Sequence, residues 1–441
     1  MQAQNDPSGV MASRSALLGA LRTGVQVLWP LTLLGLGVGL ACLPLNLLDR
    51  FQDQLLQRLP AWGSGWTPLT LAIAAAPVAV MPLLLVLQAR VWADGAGSGI
   101  PQTMASLEEP HQRQRLLGAK PTLHRLALWS LATLSLMPLG REGPVVQVGA
   151  AVGQAMERRW PALMQKIHPR DGLAVAAAAG LAGGFNTPFM AVIFLAEELT
   201  RRFTVGLIWP AMVVCVVAAF ISNLGGQGLF ALGMVQDKVN EPLQLLVAIP
   251  IGIGVGLVGA LFGKLLLEST RRFTPLARRY PLRTGLLLGL ALAAVAVASG
   301  GASGGDGEAL MSLLLHHPHA GHANIGTLLA RIIGPCLALG AGVPGGLIDP
   351  AFSIGAVIGH MAGKLIHQGS LGLALGMAAS LAGATQLPAL SIAFSLRLIG
   401  DQQLLPGVVL ASVLGAYTSR LLLSKPIYHA LADLRQTPAK D

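Results

Sequence analysis

Residues 23–48, 59–89, 172–196, 203–236, 242–263, 284–305 and 365–396 each run without a single Asp, Glu, Lys or Arg. A helix needs roughly 20 residues to cross about 30 Å of hydrocarbon, and each of these stretches is long enough. Charged residues make up 11% of the chain, whereas a soluble domain carries about a quarter, and 53% of the residues are hydrophobic. A soluble globular fold is excluded. The 54 Gly and 28 Pro lie inside the apolar segments without a three-residue period, which excludes collagen and disorder as well. What remains is a polytopic, all-α membrane protein.

The net charge of +10 would suggest nucleic acid in a soluble chain. Here the excess belongs in cytoplasmic loops facing anionic lipid, so it reads as a topology signal and no nucleic-acid partner is expected. Cys42, Cys215 and Cys336 stand singly in apolar runs, without the paired spacing of a metal site. Residues 1–22 are largely polar, and the apolar run after them is far longer than a signal-peptide core, so it is expected to stay as the first span.

The chain repeats itself. AAGLAGGFNTPFMAVIF near residue 180 returns 200 positions later as AASLAGATQLPALSIAF, pairing Leu181, Ala182, Gly183, Pro188 and Phe194 with Leu381, Ala382, Gly383, Pro388 and Phe394. Upstream of each copy, GPVVQVGAAVG matches DPAFSIGAVIG, pairing Pro144, Gly149, Ala150 and Gly153 with Pro350, Gly355, Ala356 and Gly359. Two homologous halves are expected, about 23–236 and about 242–432. They would form one membrane domain between a cytoplasmic segment (1–22) and a cytoplasmic tail (433–441). Shorter apolar pieces at 126–140, 143–156 and 332–348 abut Gly/Pro clusters, and broken helices are tolerated at membrane depth only inside protein or along a wet cavity. Repeats with broken helices typically hold a substrate site at their interface near the midplane.

Arg158, Arg159, Lys166 and Arg170 in 157–171, Arg201 and Arg202 in 200–203, and six Lys or Arg in 264–283 mark three cytoplasmic loops by the positive-inside rule. The single charge-free segment between the first two must therefore enter and return on one side, and its GGFNTP centre supplies the break. The helix ending at Glu157 begins near Gly143, about 21 Å higher at 1.5 Å per residue. Glu142 is thus expected deep in the membrane and Glu198 near its cytoplasmic face.

Gly140-Arg141-Glu142-Gly143-Pro144 opens an apolar helix, and the free amides of such a first turn form an anion site. An intramembrane carboxylate costs several kcal/mol unless it has a partner or a function. Glu142 is either a salt-bridge partner of Arg141 or an exposed loop charge, or it is itself the anion that fills the site until protonation frees it. Gly97-Ser98-Gly99-Ile100-Pro101 is a turn that could also place a hydroxyl on an anion. In Gly342-Val343-Pro344-Gly345-Gly346-Leu347-Ile348-Asp349-Pro350, the repeat sets Ile348 where Glu142 stands, so this half would offer amides but no carboxylate. Tyr428, in KPIY, is an interfacial anchor or a neutral donor to an anion. Glu197 and Glu198 either pair with Arg201 and Arg202 at a helix end or admit protons from the cytoplasm. His316, His317, His319 and His322 lack Cys or acidic companions at fixed spacing, and no metal or cofactor is expected.

The strings GSGIP, GREGPVVQVG, GGFNTPFMAVIFLAEE, GVPGGLIDP and KPIY, in this order and approximate spacing, resemble the CLC family of chloride channels and proton-coupled chloride transporters. The resemblance spans roughly residues 20–432. It implies a CLC-like fold of two inverted repeats of tilted, broken and re-entrant helices, and a homodimer with one pore per subunit. It implies that Ser98 and Tyr428 hold a central chloride completed by the amides of Leu347 and Ile348. Glu142 then looks like the external gating glutamate, at a helix N-terminus formed with Gly140, Arg141 and Gly143. Glu198 looks like the internal proton glutamate of the exchanger branch. Ile348 stands where the family usually has Phe, and Asp349 is an unusual charge beside an anion path. The chain stops about ten residues after the last helix, so the nucleotide-binding CBS domains of larger members are not expected. The resulting expectation is chloride/proton antiport across the inner cell membrane, with a passive voltage- or pH-gated chloride channel as the alternative. An intramembrane enzyme would need a nucleophile and base, or ligands such as HExxH, and none is present.

Overall fold

The computed structural model describes residues 7–168, 171–225, 241–317, 321–399 and 402–436, so Arg170 and His319 lie outside the described residues. The first half comprises α1 (Pro7–Leu56), α2 (Pro68–Arg90), α3 (Ile100–Glu108), α4 (Arg113–Leu117), α5 (Ala119–Leu134), α6 (Glu142–Arg159), α7 (Pro161–Ile167), α8 (Gly172–Phe185), α9 (Pro188–Phe194) and α10 (Val205–Ser222). The second comprises α11 (Glu241–Arg279), α12 (Pro281–Ala298), α13 (Glu308–His316), α14 (Ile325–Gly340), α15 (Ile348–Lys364), α16 (Gly369–Thr385), α17 (Pro388–Ile399), α18 (Leu405–Ser419) and α19 (Ile427–Gln436).

Among the described residues, five segments are long and apolar enough to cross a bilayer: Gln26–Leu56, Pro68–Arg90, Val205–Ser222, Pro242–Arg279 and Pro281–Ala298. Besides these, α8, α14, α16 and α18 are apolar but shorter. Two of them are enclosed: every residue of α8 and nearly all of α16 is buried. Both helices break at the same repeat position. Asn186 after α8 (φ 52°) and Gln386 after α16 (φ 63°) adopt the left-handed conformation that ends a helix, and Pro188 and Pro388 then restart the chain as α9 and α17. The return expected at GGFNTP is this break.

The repeat extends beyond the matching strings. α5, α6 and α10 recur as α14, α15 and α18 at nearly the same offsets that align the motifs. Arg141 and Leu347, which precede α6 and α15, share almost the same backbone angles (φ −106°, ψ −3° and φ −109°, ψ −8°). Their neighbours Gly140 and Gly346 form an antiparallel bridge, each amide donating to the other's carbonyl at 3.0 and 2.8 Å. Equivalent residues paired antiparallel require a local two-fold axis between them. The two halves are inverted repeats, and the starts of α6 and α15 meet head to head on that axis.

Backbones approach closely throughout, as small residues permit in membranes. A Cβ at Gly149 would overlap the Ala176 carbonyl of α8, and a Cβ at Gly355 would overlap the Gly376 carbonyl of α16. The 264–283 stretch, expected as a loop, is largely helix: α11 continues to Arg279, and α12 starts at Pro281. Glu268 pairs with Arg271 and Arg272 one turn on, which lets a basic stretch continue a helix past the apolar span.

A candidate anion site where the two repeats meet

Glu142 opens α6, is fully buried, and reaches across the two-fold axis to the other repeat. Its Oε1 accepts the Asp349 backbone amide at 2.7 Å, in the first turn of α15. Its carboxylate fills the space over Gly140 and Gly346, where any Cβ would overlap it. A negative charge at a helix N-terminus is held both by unpaired N–H groups and by the helix dipole. The geometry favours the third reading of Glu142: its carboxylate sits where an anion would bind.

Arg141 does not pair with Glu142. Its guanidinium is buried against the Phe185 ring at 4.6 Å, donates to the Gly184 carbonyl at 3.0 Å, and ion-pairs with Asp49 and, at 3.7 Å, with Glu308. Arg331 donates to the Gly304 and Gly305 carbonyls at 3.0 Å beside the same acids. Asp49, Asp306 and Glu308 could bring one oxygen each within 4.8 Å of one another. Arg141 already supplies the positive charge there, and the group reads as an ion-pair network that fixes the start of α6.

Three loops converge on that start. Gly97 donates to the Gly342 carbonyl at 2.7 Å, and Gly99 (φ 116°) packs so tightly on Gly143 that only glycine fits. A Cβ on Gly143 would meet the Ser98 hydroxyl. Leu347 and Ile348, both buried, cap and open α15, so their amides belong to the turn that has no intrahelical acceptor. Tyr428 is fully buried at the start of α19, which packs on α3, and it lies within electrostatic range of Glu142, Glu198 and Asp349. It is no interfacial anchor. The Ser98 and Tyr428 hydroxyls, the Glu142 Oε2 and the Asp349 Oδ2 are all buried with no hydrogen-bond partner among the described residues. Two neutral donors without acceptors, beside helix-start amides, make a setting that can take an anion without trapping it.

Glu197 and Glu198 do not pair with Arg201 and Arg202 as a helix-end pattern would have it. A π-helical turn, Leu195–Leu199, redirects both side chains. Glu197 accepts the Ala389 and Leu390 amides at 3.0 and 2.7 Å, capping α17 of the other repeat. Glu198, with only 2% of its side chain exposed, lies 3.3 Å from the His429 Nδ1. Arg202 instead bonds Asp171 at 2.6 Å, and Arg201 reaches His429 Nε2 at 2.8 Å. Of the histidine group, His316 bonds the Ser312 carbonyl at 2.9 Å, and burial weakens proton binding at His322.

Sequence reasoning missed Asp49, Asp306, Glu308, the capping role of Glu197, and His429. No local signal could have found the acidic partners of Arg141, Asp49 and Glu308, which lie more than ninety residues away, but His429 follows Tyr428 directly and was open to notice.

An enclosed set of broken helices in inverted repeats, with first-turn amides and orphaned hydroxyls around an axial carboxylate, defines an integral membrane protein of the ion-transport class. Residues 78–420 match the family model described as voltage gated chloride channel, and the chain belongs to that family. It is 30% identical over 396 residues to the H(+)/Cl(-) exchange transporter ClcA of Yersinia pestis bv. Antiqua (strain Angola), covering 83% of this chain and 78% of the relative. It is 28% identical to the ClcA of Cronobacter sakazakii over 79% of this chain and 76% of that one. Among solved structures it resembles a slow cyanobacterial Cl-/H+ antiporter (TM-score 0.75, 24% identity, 93% of this chain and 97% of that one). It also resembles a CLC-type fluoride/proton antiporter (TM-score 0.68, 26% identity, 90% and 97%).

Proposed function

We propose that this chain exchanges chloride for protons across the inner cell membrane, with Glu142 as the gate. The observation that carries this reading is the Glu142 carboxylate seated on the Asp349 amide at the repeat interface, where a chloride would compete for the same donors. Ionised, Glu142 holds the amides and excludes the anion. Protonated, it loses its charge and its hold on the helix start, and chloride can take its place beside Ser98, Tyr428 and the amides of Leu347 and Ile348. Gly140, Arg141 and Gly143 shape the α6 start from which Glu142 swings. Glu198, in contact with the half-exposed edge of α19, supplies protons from the cytoplasmic side. The relatives named as H(+)/Cl(-) exchange transporters support the same reading.

Each cycle would thus move anion and proton in opposite directions through one carboxylate. A homodimer with a pathway in each subunit belongs to the proposal; cross-linking in native membranes, with a doubled mass expected, tests it. The transport reading is tested in proteoliposomes: a chloride gradient should drive protons uphill. Glu198→Gln should cut proton movement at least tenfold while chloride still flows. Proton movement unchanged in that variant would remove Glu198 from the pathway.

A further inference from the structure

We propose that His429 is the proton-entry residue on the cytoplasmic side, relaying protons to Glu198. The inference rests on the reading of Glu198 as a proton carrier and adds the group that loads it. Glu198 has 2% of its side chain exposed, too little to meet bulk water directly, whereas the His429 side chain is 25% exposed. The ring spans the gap: Nδ1 lies 3.3 Å from the Glu198 Oε1, and Nε2 faces outward, 2.8 Å from the exposed Arg201 guanidinium. Arginine only donates, so in this arrangement Nε2 is the acceptor and the neutral ring carries its hydrogen on Nδ1, close to Glu198 but not hydrogen-bonded to it, so that a small rotation of either side chain aligns the transfer.

The transfer balances without any further reactant. When Arg201 swings off, Nε2 takes a proton from cytoplasmic water, and Nδ1–H passes its proton to the Glu198 carboxylate. The ring is left neutral in its other tautomer, and Glu198 becomes a carboxylic acid. Histidine is suited to the step because its charge changes near physiological pH. Among the described residues, the charged groups in contact with His429 are Glu198 and Arg201. On the elements packed against α19, α16 bears no charge and α3 contributes Glu108, while α11 carries Glu241, Lys264, Arg278 and Arg279 besides Glu268, which is paired with Arg271 and Arg272; α19 itself also carries Arg435, and its Asp433 bonds Lys425 at 2.8 Å. Tyr428, one residue earlier, faces the anion site, so α19 places an anion donor and a proton carrier at consecutive positions.

The test uses the full-length protein in oriented proteoliposomes, measuring chloride and proton fluxes together. His429→Gln keeps the size and hydrogen bonding of the ring but cannot titrate. Proton flux should fall at least fivefold with chloride flux largely kept, and its dependence on internal pH should change. His429→Glu should restore proton flux, and imidazole added on the cytoplasmic side of His429→Ala should restore it in proportion to concentration. A wild-type proton-to-chloride ratio and internal pH profile in His429→Gln would overturn the proposal, as would equal behaviour of the Gln and Glu variants. Absence of uphill proton movement in the wild-type control would instead refute the antiport reading on which it rests.

Discussion

Glu142 accepts the Asp349 amide, in a space that two glycines keep open. Since the carboxylate holds the site only while ionised, chloride flux should decline as external pH rises. Glu142→Gln mimics the protonated form, and flux in that variant should be flat across pH and uncoupled from protons. Gly346→Ala offers an independent check with Glu142 retained. The new methyl would overlap Oε2, and Gly346 has no positive φ to strain, so the carboxylate should be displaced and the same flat profile should appear. A profile in Gly346→Ala that follows the wild type would mean the carboxylate does not need this seat. At this scale the sequence was only partly informative. The depth of Glu142 follows from helix length and loop charge, but its partner does not, because Asp349 is on the far repeat and contributes its backbone rather than its side chain.

Helix ends, more than helix interiors, set the function of each element. Glu197 caps α17 from across the molecule with two hydrogen bonds. Glu197→Ala should destabilise the protein by about 0.5 to 2 kcal/mol, the range for loss of a helix cap. In detergent this should register as a lower midpoint of thermal unfolding, with chloride flux little changed at low temperature. The glycine contacts between α15 and α16 are less forgiving, since Gly355 leaves no room for any side chain against the Gly376 carbonyl. Gly355→Val should prevent a monodisperse peak on size exclusion. The break after α8 was legible because asparagine followed within two residues by proline stops a helix by local chemistry, whereas the matching break at Gln386 and Pro388 went unread although the repeat aligns Pro388 with Pro188. The continuation of α11 through 264–279 was not legible, since a basic run looks alike in a loop and in a helix whose charges pair one turn apart.

Across the whole molecule, the inverted repeat explains why a site exists at all. Two helix starts that face each other across a two-fold axis concentrate unpaired amides at one point, and the Gly140–Gly346 bridge fixes their separation. The repeat was visible in the aligned strings, so the pairing of halves could be read from the sequence, and with it the expectation of a site where they meet. Its asymmetry matters as much: Glu142 stands on one half, and Ile348 occupies the matching place on the other. One carboxylate therefore stands between the two helix starts. The central claim is that this carboxylate couples the two ions, and it is tested most directly by loading proteoliposomes with chloride, diluting them into low chloride, and recording external pH with proton leak controlled. Outward chloride flow should pull protons inward against their gradient in the wild type, and should not in Glu142→Gln despite continued chloride flow. Chloride flow in the wild type without proton uptake, or proton uptake undiminished in Glu142→Gln, would contradict the account.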